Sequence, residues 1–172
     1  GPTTYFNAWL VTSEGVKTTN PVISQSAIAT LIINHNGYLK FTPDGKYFAL
    51  ALDVSSLVLY GKFDSSTGKC YDIGSFPSKG YGIEFSNSGK YMYVQDYSNA
   101  EKNFITAVDF EKLVTTGVLN KKEIQKKSGL ETSGALQMGL DGRIYGAVYG
   151  AKYLYLIENP EEFDNLRIYR LE

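Results

Sequence analysis

The sequence predicts an all-β protein made of repeated four-stranded units, and three observations carry this prediction. Strand-forming aromatic residues are abundant, with 14 Tyr and 9 Phe among 172 residues, and 17 Gly suit tight turns between strands. Apolar and polar residues alternate over segments of ordinary strand length. One segment also recurs three times along the chain.

The alternation predicts strands in five segments: 47–52, 57–63, 91–96, 144–149 and 153–157. A helical period is nearly absent from the rest of the chain. The best helical candidate is 120–127, where Asn120 is placed to cap a short helix rich in Lys and Glu.

The recurring segment aligns without gaps at 37–47, 81–91 and 134–144, and each copy reads as strand, turn and strand. Its turn glycines, Gly45, Gly89 and Gly142, lie 44 and 53 residues apart. Four-stranded β-propeller blades repeat at about 40 to 50 residues. We therefore expect about three and a half WD40-like blades of a larger ring, with an insertion in the longer repeat.

Turn chemistry explains why these residues recur. In Thr42-Pro43-Asp44-Gly45, proline presets φ, aspartate suits the next position, and glycine accepts the left-handed conformation. Asp141-Gly142 repeats this signal, and Ser88-Gly89 is a weaker version of it. Asp44 and Asp141 are therefore interpreted as turn residues and not as catalytic ones.

The repeat divides the chain, a single propeller segment over 1–172, into four parts. Segments 6–12 and 22–27 within 1–36 are expected to form the outer hairpin of a preceding blade. Blades follow at 37–80, at 81–133 and at 134–172. The extra length of the second blade lies in its outer part, 104–110 and then 112–127, as a short helix or a long exposed loop.

Composition argues against two classes of partner. With 17 basic and 18 acidic residues the chain has no net field to hold nucleic acid. No apolar run reaches the roughly 18 residues that span a bilayer, so membrane insertion is not expected.

The residue types of common catalytic sites are scarce. His35 is the only histidine, which excludes a site of several histidines within one chain, and no Gly-x-Ser-x-Gly elbow accompanies it. Cys70 is the only cysteine and reads as a packed strand residue. The lysine-rich segment 121–127 is interpreted as a solvated surface, the alternative being contact with phosphate or an acidic glycan. Gly146 lies in strand sequence, so no dinucleotide fingerprint arises and no cofactor or metal is implied.

Paired carboxylates are the strongest route to an enzyme, since propellers host glycoside hydrolysis near the central channel. The candidates are Glu84, Asp96 and Asp53. Lys40 and Gln137 occupy the repeat position of Glu84 in the other copies, which favours a polar face or cross-blade pairing there over catalysis.

Tyrosines on the predicted second and third strands are the best sign of a binding surface, because their rings give contact area with little loss of rotamer freedom. Packing between blades is the competing interpretation for most of them. They are Tyr91, Tyr93, Tyr97, Tyr145, Tyr149, Tyr153 and Tyr155.

An ordered set of motifs adds a family resemblance. The set comprises Ala8-Trp9-Leu10-Val11-Thr12, Gly15-Val16, Pro21-Val22-Ile23-Ser24, 37–45, Thr67-Gly68-Lys69, 81–86, Ala135-Leu136-Gln137, 141–145 and Ile157-Glu158-Asn159-Pro160. Over nearly its whole length the chain resembles the WD40-like propeller region of large secreted bacterial surface proteins with gliding-motility-associated, type IX secretion sorting domains. The resemblance implies a secreted or cell-surface location and brings no established active site.

Two functions follow as hypotheses. The first is a non-catalytic scaffold or binding module that presents a rim to a protein or glycan partner. The alternative is a propeller enzyme acting on polysaccharide through paired carboxylates. An arc of blades also leaves open apolar faces, so we expect self-association through its ends.

Overall fold

The computed structural model describes residues 3–29, 36–96, 104–125 and 133–172. Within them, three sheets of four antiparallel strands follow one another along the chain. In each sheet the strands are hydrogen-bonded in chain order, so every sheet is a simple meander. This is the arrangement of propeller blades, and the predicted fold class is confirmed.

Two small sheets precede the blades. Their strands are β1 (Thr3–Ala8), β2 (Val11–Thr12), β3 (Gly15–Val16) and β4 (Val22–Ala29). β1 pairs with β4, and β2 pairs with β3 as a separate short hairpin. Phe6 of β1 packs on Phe48 of the next sheet, with ring centroids 4.9 Å apart. The β1–β4 sheet therefore covers one face of the blade that follows it.

The three blades comprise twelve strands. The first blade is β5 (Leu39–Phe41), β6 (Tyr47–Leu52), β7 (Leu57–Asp64) and β8 (Lys69–Pro77). The second is β9 (Gly80–Phe85), β10 (Tyr91–Asp96), β11 (Phe104–Asp109) and β12 (Lys121–Gln125), with helix α1 (Phe110–Thr116) between the last two strands. The third is β13 (Ser133–Met138), β14 (Ile144–Val148), β15 (Leu154–Ile157) and β16 (Ile168–Leu171).

The three copies of the repeat occupy equivalent places. Each copy supplies the first strand of its blade, the following turn and the second strand. The turn glycines Gly45, Gly89 and Gly142 have φ of 70°, 72° and 77°, the left-handed conformation that the turn requires. The predicted inner-strand residues fall on β5, β9 and β13, and these are Leu39, Phe41, Ile83, Phe85, Leu136 and Met138.

Two apolar cores join the blades, and β10 contributes to both. Its Met92 and Val94 lie in the core shared with the first blade, and Tyr93 lies in the core shared with the third. Successive side chains of a strand point to opposite faces, so the central blade is buried on both sides.

The predicted helix at 120–127 is wrong. Residues Lys121–Gln125 form strand β12, which pairs with β11, and Ile124 lies opposite Ile105 in that ladder. The single helix of the described residues lies earlier, at Phe110–Thr116, in the outer part of the second blade that was expected to hold the insertion. Asp109 caps it by accepting a hydrogen bond from the Lys112 N–H, and Gly117 ends it in the left-handed conformation.

The connection between the third and fourth strands of a blade packs on the preceding blade. In the second blade, Phe110 of this connection lies 5.8 Å from Tyr47, ring to ring. In the third blade, Phe163 stacks on Tyr91 at 5.6 Å. Tyr47 and Tyr91 share one repeat position, so the same contact is made twice.

None of the described segments forms a helix long and apolar enough to cross a membrane.

Candidate functional site

The polar residues of the innermost strands meet where the three blades come together. Lys40 Nζ donates hydrogen bonds to Glu84 Oε2 at 2.9 Å and to Gln137 Oε1 at 3.1 Å. These are the three residues that share one repeat position, one from each blade. The cross-blade pairing considered for this position is therefore present in the structure.

The Glu84 carboxylate is held on both oxygens. Oε1 accepts the Phe85 N–H at 3.0 Å, and Oε2 accepts the Met138 N–H of the third blade at 2.9 Å in addition to Lys40. The residue is only 6% exposed. Glu84 thus ties the first and third blades to the second, and its acceptor positions face protein donors rather than an open cleft.

The other two carboxylate candidates lie elsewhere in their blades. Asp53 follows β6, where its Oδ1 accepts the N–H groups of Asn36 at 3.0 Å and Val54 at 2.7 Å, so it organises a turn. Asp96 is the last residue of β10, opposite Gly80 in the ladder, and its side chain lies outside the described residues.

The turn aspartates have local partners. Asp44 accepts hydrogen bonds from the Thr42 hydroxyl at 2.7 Å and from the Lys46 N–H at 3.1 Å. The Thr42 hydrogen bond is the main reason that the pKa of Asp44 lies below its ordinary value. Asp141 accepts from the Tyr145 hydroxyl at 2.6 Å and from Arg143, and the Tyr145 bond likewise lowers its pKa.

The remaining candidates from the sequence are His35, Cys70 and the lysine-rich segment 121–127, and the structure describes only some of these residues. His35, Lys126 and Lys127 lie outside the described residues. Cys70 is half-buried in β8, where burial raises the pKa of its thiol and so disfavours the nucleophilic thiolate. Lys122, on strand β12, donates to the Asp164 carbonyl at 3.1 Å.

Most of the tyrosines singled out from the sequence pack between or within blades. Tyr93 is fully buried, and its hydroxyl donates to the Pro160 carbonyl at 2.7 Å. Tyr153 and Tyr155 contact each other edge to face at 5.8 Å. Tyr149 is the clear exception, with 85% of its surface exposed. Tyr97 lies outside the described residues.

A groove not indicated by the sequence lies between the outer strands of the first blade and helix α1. We call it the Tyr47 groove, and it is lined by Tyr47, Tyr60, Lys62, Tyr71, Asp72 and Val114. Two adjoining cavities of about 230 and 430 Å³ open along it and share Tyr47 and Lys62. Burial raises the pKa of Tyr60, and Tyr71 is 47% exposed. The groove is thus aromatic at its base and open to solvent.

Asp72 enters this groove from a β-bulge. The register of β7 and β8 shifts between Tyr60 and Lys62, so Asp72 and Ile73 both lie opposite Gly61. Asp72 has a φ of 50°, in the left-handed region that glycine usually occupies at such bulges. Asp is one of the few residues with a side chain that tolerates this conformation.

The bulge places the Asp72 carboxylate beside Lys62. Its Oδ2 accepts from Lys62 Nζ at 2.9 Å, and this bond raises the pKa of the lysine. The Asp72 side chain is 63% exposed, so water screens the ion pair and it contributes little to stability. The bulge thus presents a solvent-accessible carboxylate beside an ammonium group.

Sequence reasoning missed the Tyr47 groove for a definite reason. Tyr47 could have been found, because Lys46-Tyr47 and Lys90-Tyr91 recur at the same repeat position. The bulge at Asp72 leaves no such signal, since it depends on how two strands pair.

Comparisons with known proteins support the fold. No family model matches the chain, and no curated protein matches it significantly. Among solved structures, the chain is similar to a candidate 6-phosphogluconolactonase from Bacteroides fragilis, with a TM-score of 0.57 and 22% identity over 76% of this chain and 36% of that one. A protein from Lactobacillus plantarum gives a TM-score of 0.60 and 17% identity over 98% of this chain and 48% of that one.

The Swd1 β-propeller domain of Myceliophteria thermophila gives a TM-score of 0.54 and 13% identity over 90% of this chain and 51% of that one. The chain thus spans between about a third and a half of these three proteins. Identities this low show the fold alone. The chain is built of four-stranded antiparallel β-propeller blades.

Proposed function

We propose that the chain is a non-catalytic scaffold or binding segment of a secreted or cell-surface bacterial protein. The observation that carries the proposal is the set of hydrogen bonds that the Glu84 carboxylate accepts. Its buried carboxylate accepts hydrogen bonds from Lys40, Phe85 and Met138, so the innermost polar position joins blades. A general acid or base needs a lone pair or proton directed at substrate, and these contacts occupy Glu84 otherwise.

The rim of the blades suits binding. The Tyr47 groove offers exposed aromatic surface beside charged side chains, a combination common at recognition surfaces. The extracellular location rests on the resemblance of the ordered motifs to type IX secretion surface proteins. A protein or a glycan is the partner class that such a rim would serve.

The alternative of a polysaccharide enzyme has a direct test, and so does the lactonase chemistry named for the Bacteroides fragilis structure. The purified chain is incubated with neutral and acidic polysaccharides and with 6-phosphogluconolactone, and product formation is followed. We expect no turnover. Turnover of any of these substrates would contradict the proposal, and its loss in Glu84→Gln but not in the surface variant Glu123→Gln would assign the activity to Glu84.

A further inference from the structure

Three ion pairs surround the ring of Tyr47. One is Lys62–Asp72 at 2.9 Å, and a second is Lys46–Asp44 at 3.1 Å. The third joins Lys90 and Glu111 at 3.7 Å across a further cavity that Tyr47 also lines. Each pair presents an ammonium donor next to a carboxylate acceptor at the surface, and the pairs together carry no net charge.

The neutral ion pairs indicate which chemical groups the ligand carries. A hydroxyl group both donates and accepts hydrogen bonds, so neighbouring hydroxyls can bind an ammonium and a carboxylate at the same time. The three pairs together are neutral, so they give a charged ligand no net electrostatic attraction. Tyrosine rings provide the apolar surface on which the C–H face of a sugar ring can pack.

The shape of the groove indicates the size of the ligand. It runs through adjoining cavities of about 230, 430 and 280 Å³ that all include Tyr47 and remain open to solvent. A small molecule that needs an enclosed site would be poorly covered there. A chain of several sugar units can follow such a groove along its length.

We propose that the Tyr47 groove binds a neutral oligosaccharide, with hydroxyls bridging Lys62 and Asp72 and with sugar rings against Tyr47 and Tyr71. This rests on the proposed function, because it names the ligand class of the binding rim. The bulge at Asp72 places its carboxylate, next to Lys62, where the ligand needs an acceptor.

The test measures binding of neutral hexasaccharides of glucose, mannose, xylose and N-acetylglucosamine to the full chain by isothermal titration calorimetry. At least one should bind, and Tyr71→Ala and Asp72→Asn should each weaken that binding tenfold or more. Tyr149→Ala, which changes an exposed tyrosine of the third blade, serves as the control and should bind as the unaltered chain does.

Asp72→Gly separates a binding role from a structural one. Glycine fits the left-handed backbone without strain, so this variant should melt at the same or a higher temperature and still lose binding at least tenfold. Absence of binding to every hexasaccharide would overturn the proposal. So would Tyr71→Ala and Asp72→Gly variants that bind as tightly as the unaltered chain.

The same samples distinguish this proposal from the proposed function. After each titration the saccharide is analysed for shortened products. Products would overturn the non-catalytic function and leave the binding site standing. Intact saccharide without binding would overturn the site alone.

Discussion

Lys40 and Glu84 hold the same repeat position in successive blades, and their side chains form an ion pair at 2.9 Å. The pair is largely shielded from water, with 21% of the Lys40 side chain and 8% of the Glu84 side chain exposed. Gln137, at this position in the third blade, accepts a hydrogen bond from the same ammonium. One repeated position has thus become a contact that spans all three blades.

Glu84→Gln should lower the free energy of unfolding by roughly 1 to 3 kcal/mol, because it leaves the shielded Lys40 without a charged partner. Urea denaturation measures the change. Glu123→Gln, in the exposed Lys121–Glu123 pair, is the control and should change stability by less than about 0.5 kcal/mol. Equal effects of the two substitutions would show that Glu84 does not join the blades.

Glu161 fastens the third blade to the second, and Glu161→Gln should loosen that contact. Its carboxylate accepts the Ser88 N–H at 2.9 Å and the Ser88 hydroxyl at 2.5 Å. Hydrogen bonds to a charged group contribute about 1.5 to 3 kcal/mol, so the Ser88 amide should exchange roughly tenfold faster or more in hydrogen-exchange measurements. Glu162→Gln, one residue along, should leave that amide unchanged. Unaltered exchange in Glu161→Gln would count against the fastening.

Gly82→Ala should destabilise the interface between the second and third blades. A Cβ at Gly82 would lie 2.5 Å from the Gly134 carbonyl oxygen and 3.0 Å from the Leu136 nitrogen, and backbone atoms cannot move aside cheaply. We expect a loss of about 2 kcal/mol or more, measured by thermal denaturation. Gly134→Ala is the matched control, since its nearest neighbour would be 3.8 Å away. A neutral Gly82→Ala would mean that the blades are less closely packed.

Tyr93 should make the protein sensitive to alkali. Burial, followed by the charge of Glu161, raises the pKa of Tyr93 in the folded chain above the ordinary value of 10.0. Below pH 10 both states keep the proton and the stabilisation is complete. Above it the unfolded chain ionises first, so stability falls by up to about 1.4 kcal/mol per pH unit.

Tyr93→Phe removes this contribution. It should be about 1 kcal/mol less stable near neutral pH, because the hydrogen bond to Pro160 is lost, and the difference should shrink or reverse above pH 10. Urea unfolding between pH 8 and pH 11.5 tests this, with the exposed Tyr149→Phe as control. A difference that stays constant over the range would refute it.

The outer face of the third blade should drive self-association. Leu154, Tyr169 and Leu171 on β15 and β16 are each more than a third exposed. Open apolar sheet faces associate, so light scattering on the 172-residue chain should show dimers or larger species at micromolar concentration. Leu171→Lys should shift the population toward monomer, whereas Val118→Lys, near α1, should not. A monomer at all concentrations would exclude this association.

The blades were predictable because their signals are local and repeated. Gly45, Gly89 and Gly142 mark the same turn three times, so one turn type fixed the phase of every inner strand. The helix was misplaced because Asn120 and Asp109 are both good caps, and only the Gly117 stop and the pairing of β12 with β11 decide between them. Local propensity yields to tertiary pairing in such cases.

The candidate site was less predictable than the fold. Glu84 was found, and its repeat partners Lys40 and Gln137 already indicated pairing across blades. The Tyr47 groove was not found, because Asp72 reaches it through a register shift and helix α1 reaches it from another blade. Such juxtapositions depend on long-range contacts that a single sequence does not display.

The contact between Phe110 and Tyr47 can form only after a delay during synthesis of the chain. Tyr47 is made 63 residues before Phe110, which at about 5 to 20 residues per second is an interval of roughly 3 to 13 seconds. For that time the apolar face of the first blade has no cover from α1. Tyr91 of the second blade likewise lacks its contact with Phe163 until the third blade is made. During synthesis, the most recently made blade therefore exposes an apolar face until the connection of the next blade has been translated.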